Sequence, residues 1–93
     1  MDKTIIMYST TWCGDCRRSN RWLTENNVPF KDVNIEENED GMRYVVQVNN
    51  GSQTVPTIVF PDGAILVEPS NVQLAAQVEK SLGISTSDSQ KAK

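Results

Sequence analysis

Residues 3–16 read Lys-Thr-Ile-Ile-Met-Tyr-Ser-Thr-Thr-Trp-Cys-Gly-Asp-Cys. Lys3 to Tyr8 is a short β-branched apolar run, the composition of a buried strand. Ser9-Thr10-Thr11 is a polar loop, and from about Gly14 to Asn26 arginines mix with Trp22 and Leu23 in a helical pattern. Cys16, Asn20 and Leu23 fall at i, i+4 and i+7, which puts them on one helical face. Asn26-Asn27 ends that helix and Pro29 forbids its continuation. A strand leading into a helix that carries two cysteines on its first turn is the frame on which the remaining segments are placed.

Outward from that frame, Phe30 to Ile35 alternates well enough to be a second strand. The acidic cluster Glu36-Glu37-Asn38-Glu39-Asp40 precedes a helix over Gly41 to Asn49, where Met42, Val45, Val46 and Asn49 have helical spacing. Acids at a helix start complement its dipole, so the cluster is expected to be structural. Thr57 to Phe60 and Ala64 to Val67 flank a Pro61-Asp62-Gly63 turn and predict a β-hairpin. Ser70 or Asn71 then caps a last helix whose stripe is Leu74, Val78 and Leu82, with Ala75 beside it and Gly83 as its stop. The order is β-α-β-α-β-β-α. A strand-helix-strand opening implies a parallel pair with a right-handed crossover, and the hairpin makes the sheet mixed, with helices on its faces. One domain is expected over residues 1–83, with a frayed tail over residues 84–93.

Composition excludes several functions. The 93 residues are 38% apolar and 23% charged, as in an ordinary globular chain. A net charge of −3 argues against nucleic acid as a partner. No apolar run approaches the roughly 18 residues of a membrane span. The N-terminus has no signal pattern, so a cytoplasmic location is expected. The chain has no histidine, which removes Ser-His and Cys-His hydrolase chemistry, and its two cysteines cannot close a zinc site alone.

The cysteines therefore carry the chemistry. Cys13 at a helix N-terminus meets unpaired backbone N–H groups and the positive end of the dipole, both of which favour a thiolate. Cys16, one turn in, should face the protein and be less exposed. This divides attack by Cys13 from resolution by Cys16. Gly14, Asp15 and Arg17 are the neighbours expected to tune the first sulfur: Asp15 opposes its charge, and Arg17 with Arg18 supports it. Trp12 is a candidate cover and partner surface for Cys13, whereas Trp22 is expected to be packing. In Thr54-Val55-Pro56, a cis bond before Pro56 would leave the Val55 N–H and C=O free to pair with an extended disulfide substrate.

Over residues 3–82 the chain resembles the glutaredoxin branch of the thioredoxin superfamily. The resemblance is carried by Thr4 to Tyr8, Trp12-Cys13-Gly14-Asp15-Cys16, Thr54-Val55-Pro56 and the Pro61-Asp62-Gly63 turn. It implies a thioredoxin fold with a four-stranded sheet, a cis bond before Pro56, Cys13 as nucleophile and Cys16 as resolving thiol. Glu68-Pro69-Ser70-Asn71 looks most like mycoredoxins. Glutathione-using members carry a lysine where this chain has Thr10, and a Gly-Gly-x-Ser/Thr-Asp stretch where it has Val67-Glu68-Pro69-Ser70-Asn71. Ser70 and uncharged Asn71 at a helix start suit the hydroxyls of a sugar-bearing thiol such as mycothiol.

The leading expectation is thus a monomeric thiol-disulfide oxidoreductase acting on S-thiolated or disulfide-bonded client proteins. It would hold no tightly bound cofactor and use a low-molecular-weight thiol, mycothiol or glutathione, as co-substrate, with a mycothiol-disulfide reductase behind it. A thioredoxin-like dithiol donor recharged by an NADPH-dependent thioredoxin reductase is the competing enzyme reading, supported by Trp12-Cys13-Gly14. An iron–sulfur carrier using Cys13 and small thiols is a third, against which Cys16 counts.

Overall fold

The structure is a computed structural model and describes residues 4–84. Its elements run β1 (Ile5–Ser9), α1 (Gly14–Glu25), β2 (Phe30–Asn34), α2 (Glu39–Val48), β3 (Thr57–Val59), β4 (Ile65–Val67) and α3 (Asn71–Leu82). The sheet order is β2-β1-β3-β4. β1 pairs in parallel with β2, from Ile5 opposite Phe30 to Ser9 opposite Asn34, and antiparallel with β3. β3 and β4 form the expected hairpin, and the whole is a thioredoxin fold. Lys3 and residues 85–93 of the expected tail lie outside the described residues. Ile84, expected to begin that tail, instead packs against the main core.

The central strand explains why this order is stable. β1 alternates strictly, with Ile5, Met7 and Ser9 buried and Ile6 and Tyr8 partly so. Ile5 and Met7 join Trp22, Leu23, Ile58, Phe60, Leu74 and Val78 in the larger core, between the sheet and α1 with α3. Across the sheet, Ile35 and Val45 pack with Val55 and the two cysteines, while Tyr8 stacks on Tyr44 with ring centroids 5.1 Å apart. The cysteines thus belong to the smaller core, at the end of β1 where α1 begins.

Local chemistry sets the element boundaries. Gly63 takes φ 92° in the hairpin turn, a conformation that favours glycine. Asp62 accepts from the Ala64 N–H within that turn and from Ser81 Oγ on α3, which ties the hairpin to the last helix. Gly83 closes α3 in the left-handed region.

Two expectations need correction, and one position gains a role. The buried stripe of α1 is Cys16, Ser19, Trp22 and Leu23; Asn20 instead reaches Asp32 on β2, Nδ2 to Oδ2 3.0 Å. The buried face follows i, i+3, i+6 and i+7 from Cys16, with Ser19 taking the place expected for Asn20. Secondly, α2 starts at Glu39, two residues before Gly41, because Asn38 Oδ1 accepts from the Gly41 N–H at 2.8 Å and caps it. Only Glu39 and Asp40 of the acidic cluster therefore lie in its first turn. Finally, Gly41 is a packing position: a Cβ there would lie 3.1 Å from Val33 Cγ1 and 3.4 Å from Tyr8 Cδ1.

That crowding is testable. Gly41→Val should destabilise the fold by about 1–3 kcal/mol through overpacking. Urea unfolding should show a lower midpoint at unchanged slope; an unmoved midpoint would mean that the sheet yields to the larger side chain.

Candidate functional site

Cys13 is the N-cap of α1, with extended backbone at φ −88° and ψ 114°. Its sulfur accepts from the Cys16 N–H at 3.1 Å, so a thiol takes the role usually filled by Ser, Thr, Asp or Asn. Cys13 is 8% exposed and Cys16 3%; both thiols are free. Burial drives the Cys16 thiol well above the ordinary thiol range, with its hydrogen bond to the Cys13 side chain adding to the effect.

The Val55–Pro56 bond is cis and stands against this helix start. The expectation that both Val55 backbone groups are free holds only for one of them. Val55 O receives the Cys13 Sγ at 3.8 Å, while the Val55 N–H has no protein partner among the described residues. Two elements far apart in sequence hold the segment. Asn49, at the end of α2, donates from Nδ2 to Thr57 Oγ1 at 3.1 Å, and Thr57 Oγ1 donates to Thr54 O at 2.8 Å. On the other side Pro56 O accepts from the Glu68 N–H at 2.9 Å. Asn49 and Thr57 escape sequence reasoning, since each reads as an ordinary helix-end or strand residue.

The neighbours expected to tune Cys13 are distributed differently. Asp15 pairs with Arg18, Oδ1 to Nη1 3.3 Å, and Arg18 Nη2 donates to Pro69 O at 2.9 Å. Asp15 is thus the near end of a bridge from the Cys-x-x-Cys turn to the segment before α3. The Arg17 guanidinium turns away toward Thr11 O at 3.5 Å. With Asn20, Arg21 and Asp32 it lines a cleft of about 520 Å³ that reaches Cys16 and not Cys13. A Cβ on Gly14 would meet nothing within 4 Å, so its surroundings do not require glycine.

At the head of α3 Ser70 is committed to a capping box. Its Oγ accepts from the Gln73 N–H at 3.1 Å, and its N–H donates to Gln73 Oε1 at 2.8 Å. Ser70 is therefore the cap of α3: its amide is taken, while its O–H donor is not used by the capping box. Asn71 Oδ1 is buried and has no partner. Trp22 is core, 4% exposed, whereas Trp12 is 69% exposed beside Cys13. Among the described residues no cluster could hold a metal ion, and no helix is long and apolar enough to cross a membrane.

Two thiols on the first turn of a helix, facing a cis-proline turn at the end of a mixed sheet, define a thioredoxin-fold redox protein. The thioredoxin-like protein BC3987 superposes with a TM-score of 0.66 at 22% identity, covering 91% of this chain and all of that one. The glutaredoxin family model matches residues 5–65. A Mycobacterium tuberculosis protein assigned as a glutaredoxin is 39% identical over 79 residues, 85% of this chain and 94% of its own length. Mycoredoxin 1 of Corynebacterium glutamicum is 27% identical over 75 residues, 81% and 92% of the two chains. The chain belongs to the glutaredoxin family and is a thiol-disulfide oxidoreductase.

The difference between the two sulfurs has a direct readout. Iodoacetamide at neutral pH should add once to the reduced protein, at Cys13. Because the Cys16 thiolate forms only far above the usual thiol range, a second adduct should appear only as the pH is raised well beyond it, or on unfolding. Peptide mass spectrometry locates each adduct; equal labelling of both cysteines at neutral pH would contradict the burial of Cys16.

Proposed function

We propose that this protein reduces mixed disulfides between client proteins and a low-molecular-weight thiol, with Cys13 as nucleophile and Cys16 as resolving thiol. The observation that carries this reading is the Cys13 sulfur, which takes a helix-start N–H and is the more exposed of the two. The Cys13 thiolate attacks the small-thiol sulfur of the mixed disulfide. The bond to the client breaks, and the client sulfur leaves with the electron pair and takes a proton. The small thiol stays on Cys13. A second small thiol then attacks that sulfur and departs as the symmetrical disulfide, restoring Cys13. Alternatively Cys16 loses its proton, attacks Cys13 Sγ and releases the small thiol, leaving an internal disulfide. The high ionisation range of Cys16 favours the first route near neutral pH. Val55 and Pro56 supply the wall along which the three sulfurs line up, since exchange is fast only when the approach is held.

The small thiol in this reading is sugar-bearing, mycothiol in kind. Thr10, where glutathione-using members carry a lysine, is buried and uncharged. At the head of α3 stands uncharged Asn71, where glutathione-using members carry an aspartate. The relative named mycoredoxin 1 is consistent with that choice. The Cys13 and Cys16 roles and the thiol preference are tested together. Cys13→Ser should abolish reduction of an S-thiolated protein, whereas Cys16→Ser should keep a good part of it. Incubating Cys16→Ser with mycothiol disulfide and with glutathione disulfide, then weighing the adducts, should favour the first by at least about tenfold in rate, which corresponds to about 1.4 kcal/mol. Equal loss in both cysteine variants would leave only the dithiol route, and a glutathione preference would remove the sugar-thiol assignment.

A further inference from the structure

The loop before Cys13 is fastened by a side chain that belongs to neither the Cys-x-x-Cys turn nor the cis-proline segment. Glu36 lies between β2 and α2, outside the helix whose dipole its acidic neighbours complement. Its Oε1 accepts from the Thr11 N–H at 3.2 Å and from Thr11 Oγ1 at 3.1 Å. Its Oε2 accepts from Trp12 Nε1 at 3.1 Å. One carboxylate thus takes three donors from two adjacent residues, and those donors hold its ionisation below the usual carboxylate range. Glu36 is itself anchored: its N–H donates to Asn34 Oδ1 at 2.9 Å, and the neighbouring Ile35 N–H donates to Ser9 O at 3.0 Å. The anchor therefore leads back into the β1–β2 pair.

The indole this holds is 69% exposed. Left to itself, a large apolar ring next to a loop gains by folding onto the nearest apolar surface. Fixing its N–H on Glu36 keeps the ring in solvent, on the residue that precedes Cys13. Ordering it beforehand lowers the entropy lost when a partner packs on it, which is the ordinary source of affinity from a rigid aromatic anchor.

We propose that Glu36 is a positioning residue for client proteins: its carboxylate holds Trp12 as a fixed apolar wall beside Cys13, against which the chain flanking a client's disulfide is oriented. This inference deepens the mixed-disulfide reading and rests on it. A small disulfide has no flanking chain and gains little from the wall, whereas a protein client gains through KM. Glutamine at position 36 is informative because it is uncharged and nearly isosteric. Its single carbonyl oxygen can serve the Thr11 donors or the indole N–H, and its NH₂ faces whichever is left, so one side of the clamp is lost.

The experiment compares wild type with Glu36→Ala, Glu36→Gln, Trp12→Phe and Glu36→Ala/Trp12→Phe. Two substrates are used: a reporter protein with one surface cysteine in mixed disulfide with a small thiol, and bis(2-hydroxyethyl) disulfide. Near-UV circular dichroism follows the ordering of Trp12. The ratio of kcat/KM for the protein to that for the small disulfide should fall about tenfold in Glu36→Ala, about 1.4 kcal/mol, mainly through KM. Trp12→Phe should lower the ratio similarly and the double variant no further, since both remove one unit. Glu36→Gln should fall between wild type and Glu36→Ala, and the Trp12 dichroism should be lost in Glu36→Ala. Additive losses, retained Trp12 dichroism, or equal losses on both substrates would overturn the proposal. Absence of turnover on either substrate by wild type would remove the redox reading itself, and this inference with it.

Discussion

One hydrogen bond, from the Cys16 N–H to the Cys13 sulfur, organises the site. A helix start leaves amides that need acceptors, and here the acceptor is the side chain placed for chemistry. Meeting the structural need fixes the sulfur's direction at the mouth of the site. It also sets the second cysteine one turn deeper, under the smaller core, where burial suppresses its ionisation. The inequality between two identical side chains comes mainly from this placement, with the hydrogen bond between them adding to it.

A cap of this kind is useful only if what faces it is held equally well. The cis-proline turn meets that condition through bonds from both flanks: Asn49 at the end of α2 fastens Thr57, and the Glu68 N–H fastens Pro56 O. Arg18 reaches across from α1 to Pro69 O, with Asp15 as its partner. Glu36 completes the set on the side of Trp12. None of these is a strong interaction in solvent, and the exposed Asp15–Arg18 pair contributes little to stability by itself. Their common effect is geometric, since they tie the loops around the two cysteines to segments distant in the chain.

Much of this architecture is legible along the chain. The β-branched apolar run up to Tyr8, the breaker at Pro29, the Pro61-Asp62-Gly63 turn and the Leu74–Val78 stripe each reflect local chemistry that survives any context. The errors share one cause: they concern side chains with two competing uses. Asn20 lies on the apolar trace but is drawn off by Asp32. Asn38 moves the start of α2 by capping it. Arg17 turns to Thr11 and Arg18 to Asp15, which spacing along the helix cannot distinguish.

The sequence by itself determined that two cysteines one helical turn apart follow a buried strand, and that a Val-Pro step opens a later one. Both are local properties of residue type and spacing. Only the tertiary structure decided that Val55 O meets the Cys13 sulfur, how fully each cysteine is buried and that Glu36 holds Trp12. These contacts join residues 24 to 42 positions apart or depend on how much water reaches a sulfur. Such quantities exist only once the sheet has brought the ends of β1 and β2 and the start of β3 together.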